Sequence, residues 1–151
     1  MNILVIGSGA REHAILWSLS KSELTNKLYV APGNAGTSDL AINLPIPSTD
    51  IVNLANAVKV YEIDLTIVGP ESSLSEGIVD YFQEQNLLIV GPTKQAAQIE
   101  TSKAFSKQLM HDHKIPTGDA EIFESPQAAK KFLMSAPLPL VIKADGLAAG
   151  K

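Results

Sequence analysis

Short unbroken apolar runs alternate with helically spaced apolar positions over the first ninety residues of the chain. The runs are residues 3–6, 28–30, 65–68 and 87–90. None alternates apolar with polar, so each reads as a strand buried on both faces, as in a parallel sheet. Between them Ile51, Leu54, Ala55 and Val58 follow the i, i+3, i+4, i+7 spacing of a helix face, and Leu74, Ile78 and Phe82 recur every four residues. A first helix should begin near Arg11 and turn Ile15, Leu16 and Leu19 inward. Strands alternating with helices predict right-handed crossovers and a doubly wound α/β sheet.

The pattern changes after about residue 100. Ser102 is placed to cap a helix running to about His113, with Phe105 and Leu109 on one face and Pro116 beyond its end. A short strand is expected at 120–123. Ser125 and Pro126 then read as an N-cap and a first-turn proline, opening a helix that buries Ala129, Phe132 and Leu133. A last strand at 140–143 runs into Ala144-Asp145-Gly146-Leu147-Ala148-Ala149-Gly150-Lys151. Two regions follow, 1–100 as a complete α/β domain and 101–151 as the start of a second. A strand–helix–strand unit that stops one loop after its last strand cannot bury its own apolar face, so the sequence is expected to be part of a longer protein.

Composition narrows the partners. Twelve Lys and Arg against sixteen Asp and Glu give a net charge of −4, without the basic stripe of a nucleic-acid binder. The absence of cysteine excludes disulfides, thiolate metal sites and thiol catalysis. No stretch approaches the roughly 20 apolar residues of a membrane helix, and residues 3–6 are too short for a signal-peptide core. A soluble, cytoplasmic protein is expected.

The candidate chemistry lies in loops that follow the strands. Gly7-Ser8-Gly9-Ala10-Arg11-Glu12-His13 lets the chain turn sharply and approach a ligand, beside a helix N-terminus that favours an anion; the same glycines also serve a plain tight turn. An NAD(P)-binding domain of an oxidoreductase is the obvious alternative. It is disfavoured because Glu12 replaces the third glycine of G-x-G-x-x-G, and the second strand ends Ala31-Pro32-Gly33-Asn34 with no acidic residue for a ribose. Arg11 is either a phosphate partner or a solvated first-turn arginine, and His13 is more structural than catalytic in character. Pro32-Gly33-Asn34-Ala35-Gly36, Gly69-Pro70-Glu71 and Gly91-Pro92-Thr93 leave the carboxyl ends of the other strands, where open α/β sheets bind ligands. Gly33, Asn34 and Glu71 are thereby candidates for a sugar or phosphate site, though Gly-Pro pairs also mark ordinary turns. Glu71 suits ribose hydroxyls or an amine, or else a helix dipole.

Lys143, flanked by Val141 and Ile142 in the expected last strand, would need an anionic partner if buried. That partner is either a protein carboxylate or a ligand phosphate, and the glycine loop after it favours the phosphate. The loop is not a Walker A sequence, because only three residues separate Gly146 from Gly150 where four are required. Lys103, one residue into its helix, reads as simply solvated.

Taken in order, GSGAREH, APGNAG, VGPE, GPT, SKAF, HKIPT and VIKADGLAAGK resemble the phosphoribosylamine–glycine ligases (glycinamide ribonucleotide synthetases), members of the ATP-grasp superfamily. The resemblance covers essentially all 151 residues. It implies a Rossmann-like pre-ATP-grasp domain over residues 1–100, with Gly9, Arg11 and Glu71 near a ribosyl substrate. It also implies that residues 101–151 begin the ATP-grasp module. Lys103 and Lys143 would then be nucleotide-binding lysines, and Gly146, Gly150 and Lys151 part of the loop over the ATP phosphates. The implied substrates are ATP, glycine and 5-phosphoribosylamine, joined through a glycyl phosphate, with Mg²⁺ or Mn²⁺ held by ligands outside these residues. The piece alone should be inactive. A stand-alone phosphosugar-binding module is the remaining alternative.

Overall fold

The computed structural model describes residues 1–148. The positions of Gly150 and Lys151, both expected in the phosphate loop, lie outside the described residues. The chain divides into two compact units, Met1–Ala97 and a second beginning at Gln98.

In the first unit the apolar runs form β1 (Asn2–Gly7), β2 (Lys27–Pro32), β4 (Leu65–Val68) and β5 (Ile89–Val90), joined by a two-residue edge strand, β3 (Ile42–Asn43). All pairings are parallel and the order across the sheet is β3-β2-β1-β4-β5. Successive β1 side chains point to opposite faces. Leu4 and Ile6 join Tyr29 and Ala31 beneath α2 (Ile51–Val60) and α4 (Ile78–Glu84), whose Leu54, Val58, Ile78 and Phe82 complete one cluster. Ile3 and Val5 join Leu28 and Val30 against Leu16 of α1 (Ala10–Leu19) on the other. Helices on both faces of a parallel sheet make the expected doubly wound fold.

Three local features depart from expectation. The Leu74–Ile78–Phe82 spacing is not one helix: Gly77, at φ +89° in the left-handed region, separates α3 (Glu71–Ser75) from α4. β3 was not anticipated, being too short to carry a pattern. Neither was α5 (Lys94–Thr101), whose one buried residue is Ala97.

The second unit contains α6 (Lys103–Asp112) and α7 (Pro126–Leu133). Ser102 caps α6 by accepting from the Phe105 N–H at 3.1 Å, and Ser125 caps α7 from Ala128 at 3.1 Å. The strands expected at 120–123 and 140–143 are not formed. A strand exists only against a neighbour, and no described segment pairs with either. Ala129, Phe132 and Leu133 are not buried as expected: α7 has no buried residue, and Leu133 is 36% exposed. Phe132 instead packs on Phe123, with ring centroids 5.3 Å apart.

Candidate functional site

β2 and β3 lie on one side of β1, β4 and β5 on the other. The chain therefore reverses its winding between β1 and β4, and the loops leaving these two strands, Gly7-Ser8-Gly9 and Gly69-Pro70-Glu71, flank the crevice where doubly wound sheets bind ligands. Gly69 continues the register by donating its N–H to the Ile6 carbonyl at 3.0 Å.

Arg11 joins the two loops. Its Nη1 and Nη2 donate to Glu71 Oε1 and Oε2 at 2.6 and 3.4 Å, and its Nε donates to Glu12 Oε1 at 2.9 Å. It is thus not the plain solvated arginine of one sequence reading. The hydrogen bonds from Arg11, the largest influence, hold the Glu71 carboxyl below its ordinary value. The bonds to Glu71 and then Glu12 raise the guanidinium further. Glu71 is the first residue of α3, where the helix dipole favours its carboxylate, and its pairing with Arg11 adds a partner that neither sequence reading named.

Glu12 was missed as a site residue. It is 3% exposed, and besides Arg11 it meets the Gly9 N–H, which donates to Oε2 at 2.7 Å. A Cβ built on Gly69 would lie 2.1 Å from Glu12 Oε1, and one on Gly7 would lie 2.6 Å from its Cγ. Both positions are glycine because this carboxylate fills the space above them. A dinucleotide would set its pyrophosphate at this helix N-terminus, where an anion from the chain already sits. The signal was available: a glutamate three residues after the N-cap is half of a capping box, though Gly9 lacks the side chain to supply the other half.

The loop after β2 closes on the same edge. Asn34 donates through Nδ2 to the Ser8 carbonyl at 2.7 Å and accepts from Gly36 N–H at 2.7 Å, while Gly33 N–H donates to the Gly7 carbonyl at 3.1 Å. These contacts fix the loop rather than point into the crevice. A Cβ on Gly36 would meet the His13 ring at 3.1 Å, so His13 packs over this loop. The Gly91-Pro92-Thr93 loop ends as a cap: Thr93 Oγ1 accepts from Ala96 N–H at 3.3 Å.

In the second unit Asp145 accepts from the Ala104 N–H and the Ser102 hydroxyl, each at 3.1 Å, and Lys103 Nζ donates to the Gly146 carbonyl at 2.7 Å. The start of the glycine loop is thereby tied to the N-terminus of α6. The Ala104 N–H above all, with other donors of that turn, holds the Asp145 carboxyl below its ordinary value. Lys143 is exposed and lies in no strand, so the burial argued for it does not hold; Val141 and Ile142 are 79% and 78% exposed. Among the described residues no cluster of three or more His, Asp or Glu is placed to hold a metal, and no helix is long and apolar enough to cross a membrane.

Fold and strand order together define an α/β domain of the doubly wound class. Sequence comparison carries the assignment further. A family model described as phosphoribosylglycinamide synthetase, N domain, matches residues 1–100, and one described as the ATP-grasp (A) domain of the same synthetase matches residues 101–151. The chain belongs to the phosphoribosylglycinamide synthetase family. It is 52% identical over 151 residues to a phosphoribosylamine–glycine ligase of Halalkalibacterium halodurans, and 50% identical over 153 residues to that of Escherichia coli. All of this chain is covered in both, but only 35% and 36% of those relatives, so the chain spans about a third of their length. The crystal structure of phosphoribosylamine–glycine ligase from Thermotoga maritima superposes with a TM-score of 0.77 at 30% identity, over 100% of this chain and 34% of that one. The N5-carboxyaminoimidazole ribonucleotide synthetase of the same organism shares the fold, with a TM-score of 0.64 at 15% identity over 86% of this chain and 35% of that one.

Proposed function

We propose that this chain supplies the ribosyl-substrate side, and the first part of the nucleotide side, of a phosphoribosylamine–glycine ligase. The observation that carries the reading is the Arg11–Glu71 pair spanning the switch point of a chain 52% identical to such a ligase along its whole length. Residues 1–100 form the substrate domain and 101–151 open the ATP-grasp domain.

The charge of the pair selects the group it meets. Glu12, Arg11 and Glu71 sum to a formal charge of −1, which repels a phosphate and favours an amine or hydroxyls. Glu71 is the acceptor for the ribosyl amine or its neighbouring hydroxyls, Arg11 orients Glu71, and the Gly9, Gly33 and Asn34 loops, whose own N–H groups are taken up within the chain, border the ligand.

In the reaction, the glycine carboxylate takes the terminal phosphoryl group of ATP, and the amine of phosphoribosylamine then displaces phosphate to form the amide. A carboxylate oxygen leaves poorly and phosphate leaves well, so activation precedes capture. Lys103 and Lys143 place positive charge on the transferring group, and the loop from Gly146 to Lys151 excludes water. A bound Mg²⁺ or Mn²⁺ would spread the same charge.

The test joins residues 1–151 to the downstream two thirds of the Halalkalibacterium relative. The fusion should form ADP only when both glycine and phosphoribosylamine are present, and Lys143→Ala should lower the rate by about 100-fold or more, as removal of a transition-state charge partner does. A folded fusion without activity would defeat the reading. The 151-residue chain alone should bind ribose 5-phosphate saturably, form no ADP with glycine and show no saturable binding of NAD(H). Saturable NAD(H) binding would instead support the oxidoreductase alternative.

A further inference from the structure

A carboxylate as buried as Glu12 is costly unless both oxygens are satisfied. They are satisfied by donors of different purpose: Gly9 N–H on Oε2 at 2.7 Å, which a helix cap would explain, and Arg11 Nε–H on Oε1 at 2.9 Å, which it would not. Gly7 and Gly69, one from each flank of the crevice, close over the same side chain so tightly that neither position has room for a methyl group. Glu12 is therefore held by both loops, and its remaining freedom is spent on a single arginine.

We propose that Glu12 is a positioning residue that acts through Arg11. Gripped at Nε, the guanidinium has one orientation left, with Nη1 and Nη2 turned outward onto Glu71. Glu71, whose side chain is 35% exposed, is in turn presented to the crevice in a fixed pose. Arg11 is thus shared between a buried carboxylate that stays and an exposed one that receives the ligand's donors. The purpose of this relay rests on the ribosyl-substrate reading above; its geometry does not.

Glu12→Gln separates positioning from capping. The glutamine oxygen can still accept from Gly9, but its NH₂ then faces the Arg11 Nε–H, donor against donor. In the ¹⁵N-labelled 151-residue chain, exchange of the Arg11 Nε–H should accelerate about tenfold or more, the scale of a lost hydrogen bond to a charged group, while the Gly9 amide keeps its protection. Loss at Gly9, alone or together with Arg11, or no change at Arg11, would make Glu12 a structural cap and overturn the proposal. Should the variant fail to fold, Glu71→Gln asks the same question from outside. Arg11 Nε–H must then stay protected, because Glu12 and not Glu71 holds it; loss of protection overturns the idea. Titration with ribose 5-phosphate adds the ligand arm: Glu12→Gln should weaken binding about tenfold, and equally tight binding would overturn the relay. If the unaltered chain does not bind ribose 5-phosphate, the ribosyl reading fails, while the exchange data still decide the positioning claim.

Discussion

Glu71 accepts two hydrogen bonds from Arg11 at the mouth of the crevice, and this ties a measurable pH dependence to one side chain. Its carboxyl is held below the ordinary glutamate value of 4.5, mainly by those bonds. A group with a lower pKa folded than unfolded adds stability above its unfolded value. That contribution is lost as pH falls from about 4.5 through the depressed folded value. Arg11 stays charged throughout. Because Arg11 is half exposed and Glu71 about a third exposed, solvent screening limits the pair to at most about 1 kcal/mol, so urea unfolding of Glu71→Gln should differ from the parent by that amount at neutral pH and by nothing in acid. An equal difference at both would dissociate Glu71 from Arg11. Gly69 yields a second expectation. Its Cβ would lie 2.1 Å from Glu12 Oε1, and the atoms in the way belong to a packed, buried side chain. Gly69→Ala should cost about 1–3 kcal/mol by overpacking and release the Arg11 Nε–H to exchange; a cost below about 0.5 kcal/mol would mean that Glu12 yields easily. Arg11 and Glu71 were legible as candidates because both follow glycines at strand ends. Their pairing was not, since 60 residues separate them and only the β1–β4 adjacency brings them together. Asp145 was illegible for the same reason, its partner Ser102 lying 43 residues away.

At the scale of elements, strands and helices reported themselves unequally. β1 and β2 are buried on both faces and β4 is partly so, and such burial writes a continuous apolar run; β3 pairs with β2 through two residues and writes nothing. Runs of the same kind at 120–123 and 140–143 predicted strands that do not form, because an apolar run records a tendency to be covered and a ladder needs a partner. Caps transferred well, being local: Ser102 and Ser125 each accept from the N–H three residues on. Ser102 also donates to Asp145. Ser102→Ala should therefore lower stability of the α6 turn by about 1 kcal/mol and free residues 144–148 to faster amide exchange, whereas Ser125→Ala should affect only α7. Exchange at 144–148 unchanged by Ser102→Ala would remove the hydroxyl from the loop's anchor. On β4, Thr66 is fully buried and its hydroxyl has no hydrogen-bond partner among the described residues. Thr66→Val keeps the branched shape and discards the unpaired group, so it should stabilise by up to about 1 kcal/mol, read as a higher urea midpoint. A lower midpoint would show that the hydroxyl has a partner after all.

Across the whole molecule, burial is distributed as unevenly as function is. Every side chain buried among the described residues lies within the unit Met1–Ala97, from Ile3 to Ala97. From Gln98 to residue 148 none is buried, and Val141, Ile142, Leu138 and Met134 are about four-fifths exposed or more. Apolar burial contributes on the order of 25 cal/mol per Å², and it must offset about 1–2 kcal/mol of backbone entropy for each ordered residue. The first unit has two clusters, one on each face of its sheet, with which to do so; the second has helix caps, one aromatic pair and the Asp145 tie. The first unit should accordingly fold without the second. A chain of residues 1–97 should unfold in one cooperative step, with a urea midpoint and amide protection matching those of the 151-residue chain. In the longer chain, amides of α6 and α7 should exchange at least about 100-fold faster than those of β1 and β4, reflecting local opening below the global free energy. The substrate half of the candidate site, with Glu12, Arg11 and Glu71, would then survive intact in the shorter chain, and its ribose 5-phosphate affinity should be unchanged. A midpoint that falls sharply on removal of residues 98–151 would show instead that the second unit is structurally required, and would move the nucleotide half of the fold from an addition to the first domain to a condition for it.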